Sequence, residues 1–198
     1  MTRFFSKTLV KWLLKMGAIS QRDTDVYDYG IYSFLFSLLP FSLVLVLSMP
    51  LGMVSEGLLL IVPFFFLRKF TGGFHFQSAL PCLVTSTLLL LASLVGIKAL
   101  LPEPPLLAIY LAVYLSLIPI FLLSPIDSIN RKLSLKEQRI FRRIAIGLSC
   151  FFAVLFTLLM GFELYRTAVP IGGGVVLTAL LQLPYLPERI RTTQGKTK

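Results

Sequence analysis

Long blocks with almost no charge dominate this chain of 198 residues. They include Ile31–Met53, Leu80–Ala92, Leu106–Leu123 and Ile144–Phe162. Apolar stretches of about 18 residues are typical of transmembrane helices. The composition agrees, because 56% of the residues are hydrophobic and only 14% are charged, whereas a soluble domain carries about 25% charged residues. We therefore expect an integral membrane protein of the all-α class, which excludes a soluble enzyme, a disordered regulator and a disulfide-stapled secreted domain.

Six apolar segments fit a polytopic bundle of membrane-spanning helices. They cover residues 31–49, 52–67, 80–101, 105–123, 144–162 and 168–186. The second segment is short, because Glu56 and Pro63 interrupt it and its 16 residues reach only about 24 Å, below a hydrocarbon core of about 30 Å. Whether this segment crosses fully is left open. Gly172, Gly173 and Gly174 in the last segment are interpreted as a close-packing surface or as simple fill, with a broken helix as the alternative.

Basic residues gather in alternate connections between these segments. The N-terminal part, the 68–79 and 124–143 loops and the C-terminal tail hold 17 Lys and Arg, and the opposite connections hold 2. Basic residues collect on the cytoplasmic side of membrane proteins, so we expect both termini in the cytoplasm and an even number of spans. One domain follows: a cytoplasmic segment over 1–29, a bundle over 30–186 and a tail over 187–198. Since topology accounts for the net charge of +10, nucleic acid is not an expected partner.

An amphipathic stretch, Arg3–Met16, precedes the first span. Its apolar side chains recur at helical spacing: Phe5, Leu9, Trp12, Leu13 and Met16. Lys7, Lys11 and Lys15 stand one turn apart on the other face. This pattern predicts a surface helix against anionic lipid, which makes the bilayer a partner. A helix packed on the bundle with its lysines in water is the alternative.

Residues 68–82 combine the scarcest side chains of the chain. His75 is the only histidine, and Cys82, seven positions on, is one of two cysteines. Gly72 and Gly73 end any helix that enters from the second span, and Pro81 suits an early position in the third span. His75 then lies in a loop that can fold back toward Cys82.

A thiol in the first turn of a helix is stabilised as a thiolate by unpaired N–H groups and the helix dipole. An imidazole that accepts the thiol proton would complete a Cys–His pair at Cys82 and His75. One such pair is a weak signal, and a packing cysteine with an interfacial histidine is the alternative. Cys150 is interpreted as an apolar filler. One His with one Cys lacks the ligands of a zinc site, so neither a metal nor another cofactor is expected.

The segment Arg68-Lys69-Phe-Thr-Gly72-Gly73-Phe-His75, with Cys82 beyond it, resembles the accessory gene regulator protein B (AgrB) family of Gram-positive bacteria. A second stretch, Ser124–Lys132, is similar to the family's Pro-x-Asp…Asn-Lys/Arg loop, with Arg131 at the position that often holds lysine. Length, six spans and an amphipathic start also match. The resemblance therefore covers most of the chain.

This resemblance implies a membrane cysteine endopeptidase of the bacterial cytoplasmic membrane, with its active site near the cytoplasmic face. The substrate would be an AgrD-like quorum-sensing propeptide. The enzyme cleaves off the propeptide's C-terminal tail through an acyl-enzyme thioester, and the propeptide's own Cys or Ser then closes a thiolactone or lactone ring. Cys82 is assigned as the nucleophile and His75 as the general base and acid. Arg68, Gly72 and Gly73 belong to the same motif, in which Arg68 could pair with a substrate carboxylate while the glycines shape the loop.

Further binding candidates lie on either side of this motif. Gln77 and Ser78 are close enough to orient His75. Arg131 and Lys132 begin a basic 131–143 loop that could dock an acidic propeptide tail, although the orientation rule alone predicts that charge. The competing function is a small transporter or exporter in which His75 and Cys82 are structural, and a scaffold subunit is a third class. A two-fold homodimer stays open, since no residue argues for it.

Overall fold

The computed structural model describes residues 2–17, 19–21, 24, 27–28, 31, 41–72, 79–126 and 134–185. In this part of the chain the regular secondary structure is helical, which confirms the predicted all-α class. The helices are α1 (Thr2–Lys15), α2 (Val54–Thr71), α3 (Ala79–Leu100), α4 (Leu106–Leu123), α5 (Leu135–Gly161) and α6 (Tyr165–Leu180), with a 3₁₀ turn at Leu183–Tyr185. Residues 41–48 are also helical. The contacts divide the chain into two compact units, Met1–Leu43 and Val44–Lys198.

The first unit contains the amphipathic helix α1. Backbone hydrogen bonds continue beyond Lys15 to Gly17. The φ of Gly17, +69°, lies in the left-handed region that ends many helices. Val10 is buried, whereas Leu9, Trp12 and Met16 are exposed. The helix therefore presents an uncovered apolar stripe, with Lys11 and Lys15 exposed beside it.

In the second unit, two helices are long and apolar enough to cross a membrane. They are Leu106–Leu123, which is α4, and Lys136–Gly161, which is most of α5. Only 33% of each apolar window is buried inside the protein, unlike the mostly buried core helix of a soluble protein. Val84–Leu100 within α3 is a shorter apolar helix. Two of the six predicted spans are thus supported by length and composition, and the six-span bundle stays a prediction.

Helix α6 lies at the centre of the second unit and contacts α2, α3, α4 and α5. It runs without a break through its three glycines, which pack closely as predicted. A Cβ on Gly174 would overlap the carbonyl oxygen of Leu60 and lie 2.5 Å from Pro63 Cγ, both on α2. A Cβ on Gly172 would lie 2.8 Å from a methyl group of Val113 on α4. Such close approach of helix backbones is a common use of small residues in membrane proteins.

The second predicted span extends further than its apolar residues suggested. It begins at Val54 and ends at Thr71, so Arg68 and Lys69 form the last turn of α2 instead of the following loop. Cations at a helix C-terminus interact favourably with its exposed carbonyl groups. The helix then ends at Gly72, in agreement with the predicted break.

The fifth predicted span also differs in its start. Residues 135–143 were expected in a loop, but α5 already begins at Leu135. A capping box explains the early start: the Glu137 N–H donates to Ser134 Oγ at 3.3 Å, and the Ser134 N–H donates to Glu137 Oε2 at 2.9 Å. Both bonds satisfy N–H groups that a helix start otherwise leaves unpaired. Four of the loop's predicted basic residues therefore lie on the first turns of a helix: Lys136, Arg139, Arg142 and Arg143.

An ion pair joins the N-terminal ends of α2 and α6. Arg166 Nη2 lies 2.9 Å from Glu56 Oε1, and Ser55 Oγ donates to Glu56 Oε2 at 2.8 Å. Lys98, near the C-terminal end of α3, donates from Nζ to the Leu51 carbonyl oxygen at 3.1 Å. Only six residues, 73–78, join Gly72 to α3, so the first turn of α3 lies within about 25 Å of the end of α2. Since α3 ends beside the start of α2, the two helices run in broadly opposite directions.

Candidate active site

Hydrogen bonds among residues of the predicted motif hold the turn that ends α2. Gly72 has φ +68° and ψ −154° and donates its N–H to the Arg68 carbonyl oxygen. Arg68 Nη1 donates in turn to the Gly72 carbonyl oxygen at 3.0 Å, and Thr71 Oγ1 donates to the same oxygen at 3.2 Å. The guanidinium of Arg68 therefore fixes the first residue of the connection that leads to His75.

The two segments that carry the family resemblance meet at this turn. The Ile126 N–H donates to the Thr71 carbonyl oxygen at 2.9 Å. A Cβ on Gly72 would overlap the Ile126 carbonyl oxygen. Two separate features therefore require glycine at position 72. One is its backbone conformation, and the other is the close approach of the Ile126 backbone.

The side chain of a buried glutamine is hydrogen-bonded to the second of these segments. Gln182, just beyond the end of α6, donates from Nε2 to Ser124 Oγ at 3.2 Å. Both side chains are fully buried. Ser124 begins the second stretch of the family resemblance, but the sequence predicts no role for Gln182. Its only signal is one amide within the otherwise apolar run 179–185.

The start of α5 lies beside the same end of the bundle. The Phe141 ring packs edge-to-face on the Phe70 ring of α2, with 5.7 Å between the centroids. Arg142 Nη2 lies 3.5 Å from the Phe121 carbonyl oxygen of α4. Among the described residues, this end carries six basic side chains and the carboxylate of Glu137: Arg68, Lys69, Lys136, Arg139, Arg142 and Arg143.

The backbone of Cys82 belongs to this end as well. Cys82 is the fourth residue of α3, whose 22 residues span about 33 Å and which ends near Lys98 at the opposite side of the unit. The predicted position in the first turn of a helix therefore holds for its backbone, and Pro81 lies in that turn too. The Cys82 side chain lies outside the described part of the structure. The same is true of the remaining predicted site residues: His75, Gly73, Gln77, Ser78, Arg131 and Lys132.

The described residues thus define an all-helical protein with apolar outer faces, in which two sequence motifs meet at one basic end. The family model for accessory gene regulator B matches residues 6–186, most of the chain. The chain belongs to the AgrB family, a family of membrane proteins that act in accessory gene regulator peptide processing. Comparison with curated proteins and with solved structures gave no match.

Proposed function

We propose that this protein is a membrane-embedded cysteine endopeptidase that removes the C-terminal tail from an AgrD-like quorum-sensing propeptide. One observation carries the proposal most directly. The residue that starts the His75 connection, Gly72, is held between Arg68 and the Ile126 backbone. The backbone of Cys82 begins its helix at the same end of the bundle. A loop anchored so firmly at its origin suits a catalytic group that must be held in position.

The proposed reaction has two steps in which the atoms balance. In the first, His75 takes the proton of the Cys82 thiol, and the thiolate attacks the peptide bond before the tail. The bond breaks, the tail leaves as an amine that receives the proton, and the signal sequence stays on Cys82 as a thioester. In the second, the propeptide's internal thiol or hydroxyl attacks that thioester, which closes the ring and returns the Cys82 thiol.

The position of Cys82 in α3 favours the first step. The positive end of a helix dipole lowers the energy of a thiolate in the first turn. Thioester exchange is close to balanced, so the enzyme must also keep water from the intermediate. A cleft at the interface of a low-dielectric bilayer does this while it holds the two reacting groups together.

We place the site at the cytoplasmic face of a six-span bundle in the bacterial cytoplasmic membrane. The charge of the described residues supports this orientation. Six basic side chains lie at the site end, whereas the opposite end carries two basic side chains with Glu56, Glu103 and Glu163. Basic residues are retained on the cytoplasmic side, where the propeptide is made. Lipid then covers the exposed apolar faces of α3, α4 and α5.

The start of α5 is a docking surface for the acidic tail of the propeptide in this proposal. Lys136, Arg139 and Arg143 are exposed, and their spacing of three and four residues places them on one helical face. A rigid row of cations attracts an acidic peptide more specifically than a loop would. Arg131 and Lys132 precede this row in the sequence and extend the proposed surface.

The proposal predicts that tail release depends on one of the two cysteines. The purified full-length protein, in detergent, is mixed with the synthetic propeptide encoded beside its gene, and the released tail is measured by mass spectrometry. Cys82→Ala and His75→Ala should release no tail. Cys150→Ala is the matched control, because Cys150 is exposed on α5, and this variant should release it normally. Tail release by Cys82→Ala would contradict the proposal and favour the transporter alternative.

A further inference from the structure

Gln182 makes only part of the hydrogen bonding that its side chain allows. Its Nε2 donates to Ser124 Oγ. Its Oε1 is buried and has no hydrogen-bond partner within the described part of the structure. A buried acceptor without a partner lowers the stability of a fold. The described interaction of this buried amide is therefore its bond to Ser124.

The contacts of Gln182 lead in three steps to the proposed active site. Gln182 bonds to Ser124, and Ser124 lies two residues before Ile126 in the second motif. Ile126 bonds through its N–H to Thr71 and covers Gly72 with its carbonyl oxygen. Gly72 is the residue from which the chain continues toward His75.

We propose that Gln182 is a positioning residue for the cysteine–histidine site. Through Ser124 it fixes the segment 124–126 against Gly72, and it thereby sets the direction in which the chain leaves α2. This inference rests on the proposed function. It adds a residue that lies outside both sequence motifs and more than 50 positions from Ser124.

A second buried polar side chain near the end of α6 makes its hydrogen bond within its own helix. Thr178 lies one turn before Gln182, and it is also fully buried. Its hydroxyl donates to the Gly174 carbonyl oxygen of its own helix at 2.9 Å. This bond stays within α6 and leads to no other segment. Thr178→Val is therefore a matched control for the loss of a buried polar group at this end of the helix.

The test measures tail release and thermal stability of the full-length protein in detergent, with the synthetic propeptide as substrate. Gln182→Met keeps the side-chain volume and removes both the Ser124 bond and the unpaired oxygen. We expect kcat to fall between about tenfold and a hundredfold, as for a displaced catalytic group, with KM nearly unchanged. The melting temperature should change little, because loss of the unpaired oxygen stabilises the fold while the buried Ser124 hydroxyl loses its Gln182 partner. Thr178→Val should keep the wild-type kcat.

Two further variants keep the inference open to refutation if Gln182→Met folds poorly. Ser124→Ala removes the same bond by a smaller change and should lower kcat in the same way. The double variant should be no slower than the slower single variant, because both act on one contact. On a Cys150→Ala background, maleimide should alkylate Cys82 more slowly in Gln182→Met than in its parent, since a displaced histidine no longer assists thiolate formation.

Several results would overturn the inference. They are an unchanged kcat in Gln182→Met or Ser124→Ala, losses that multiply in the double variant, and a loss of activity that only follows a lower melting temperature. Failure of the proposed function looks different, since it requires tail release by Cys82→Ala. Normal turnover in Gln182→Met together with an inactive Cys82→Ala would remove the role of Gln182 alone.

Discussion

Single residues at the basic end are constrained by backbones that come from distant parts of the chain. Gly72 is the clearest case, because its φ and ψ lie in a region that almost only glycine adopts, and the Ile126 carbonyl oxygen occupies the place of a Cβ. The sequence predicted a helix break there from glycine's conformational freedom. The second constraint was not predictable, since it depends on where the segment after α4 meets the end of α2.

Gly72→Ala should therefore impair the protein far more than its one methyl group suggests. This backbone conformation alone costs about 1–3 kcal/mol for a residue with a Cβ, and the overlap with Ile126 must displace one of the two segments. We expect a loss of tail release of at least about tenfold, as for a shifted catalytic loop, together with a lower melting temperature.

Gly96→Ala provides the control for that substitution. Gly96 lies within α3, and a Cβ there has no neighbouring atom within 4 Å. Alanine in a helix interior is favoured over glycine by roughly 0.5–1 kcal/mol, so this variant should melt at an equal or higher temperature and keep its activity. Full activity of Gly72→Ala would show that the Ile126 contact is not needed for the site.

At the scale of the helices, boundaries were harder to predict than the helices themselves. The six apolar segments follow hydropathy, which ends a span where charged residues stand next to one another. Arg68 and Lys69 were therefore placed after α2, and the first turns of α5 were placed in a loop. Ser134 and Glu137 have the spacing of a capping box, which indicates the true start of α5. The basic residues of the same stretch are equally typical of a cytoplasmic loop.

The packing of α6 on α2 depends on Gly174, one of the three glycines that the sequence predicts to pack closely. Gly174→Ala should destabilise the protein by about 1–3 kcal/mol, the cost of overpacking a close contact, because the added methyl group overlaps the Leu60 carbonyl oxygen. A lower melting temperature in detergent tests this. Gly147→Ala is the control, since a Cβ there meets no atom within 4 Å. Equal melting of the two variants would show that α6 and α2 can separate without loss.

Helix α1 offers a direct spectroscopic test of its proposed place on the membrane. Trp12 is the only tryptophan of the chain and is 54% exposed, on the stripe that it shares with Leu9 and Met16. In nanodiscs of anionic lipid, brominated lipids should quench Trp12 more strongly than in nanodiscs of zwitterionic lipid. The double variant Lys11→Glu and Lys15→Glu should lose that difference, because each lysine contributes about 1 kcal/mol near an anionic surface.

Lys136→Glu makes half of that change of charge, at one position outside α1, and should leave the quenching as it is. Equal quenching in both kinds of nanodisc, with ready access of acrylamide to Trp12, would contradict the surface-helix interpretation. It would instead favour a helix whose apolar stripe meets water or another part of the protein.

For the whole molecule, the sequence predicted the class, the family and the separation of charge. All three depend on composition, on local motifs or on counts along the chain. It did not predict that Ile126 bonds to Thr71 or that Gln182 bonds to Ser124, because such contacts follow from helix packing and leave no periodic pattern in the sequence. The catalytic pair was predicted from scarcity and resemblance, and its assignment stays a prediction for both side chains.

The formation of a thioester on Cys82 tests the central proposal most directly. A synthetic propeptide with its internal nucleophile replaced by alanine cannot close the ring, so the acyl-enzyme should accumulate. Intact-protein mass spectrometry should then show the full chain with the signal fragment attached through Cys82, removable by hydroxylamine. The adduct should be present in Cys150→Ala and absent in Cys82→Ala. Tail release without any adduct on Cys82 would contradict the account and require a different nucleophile.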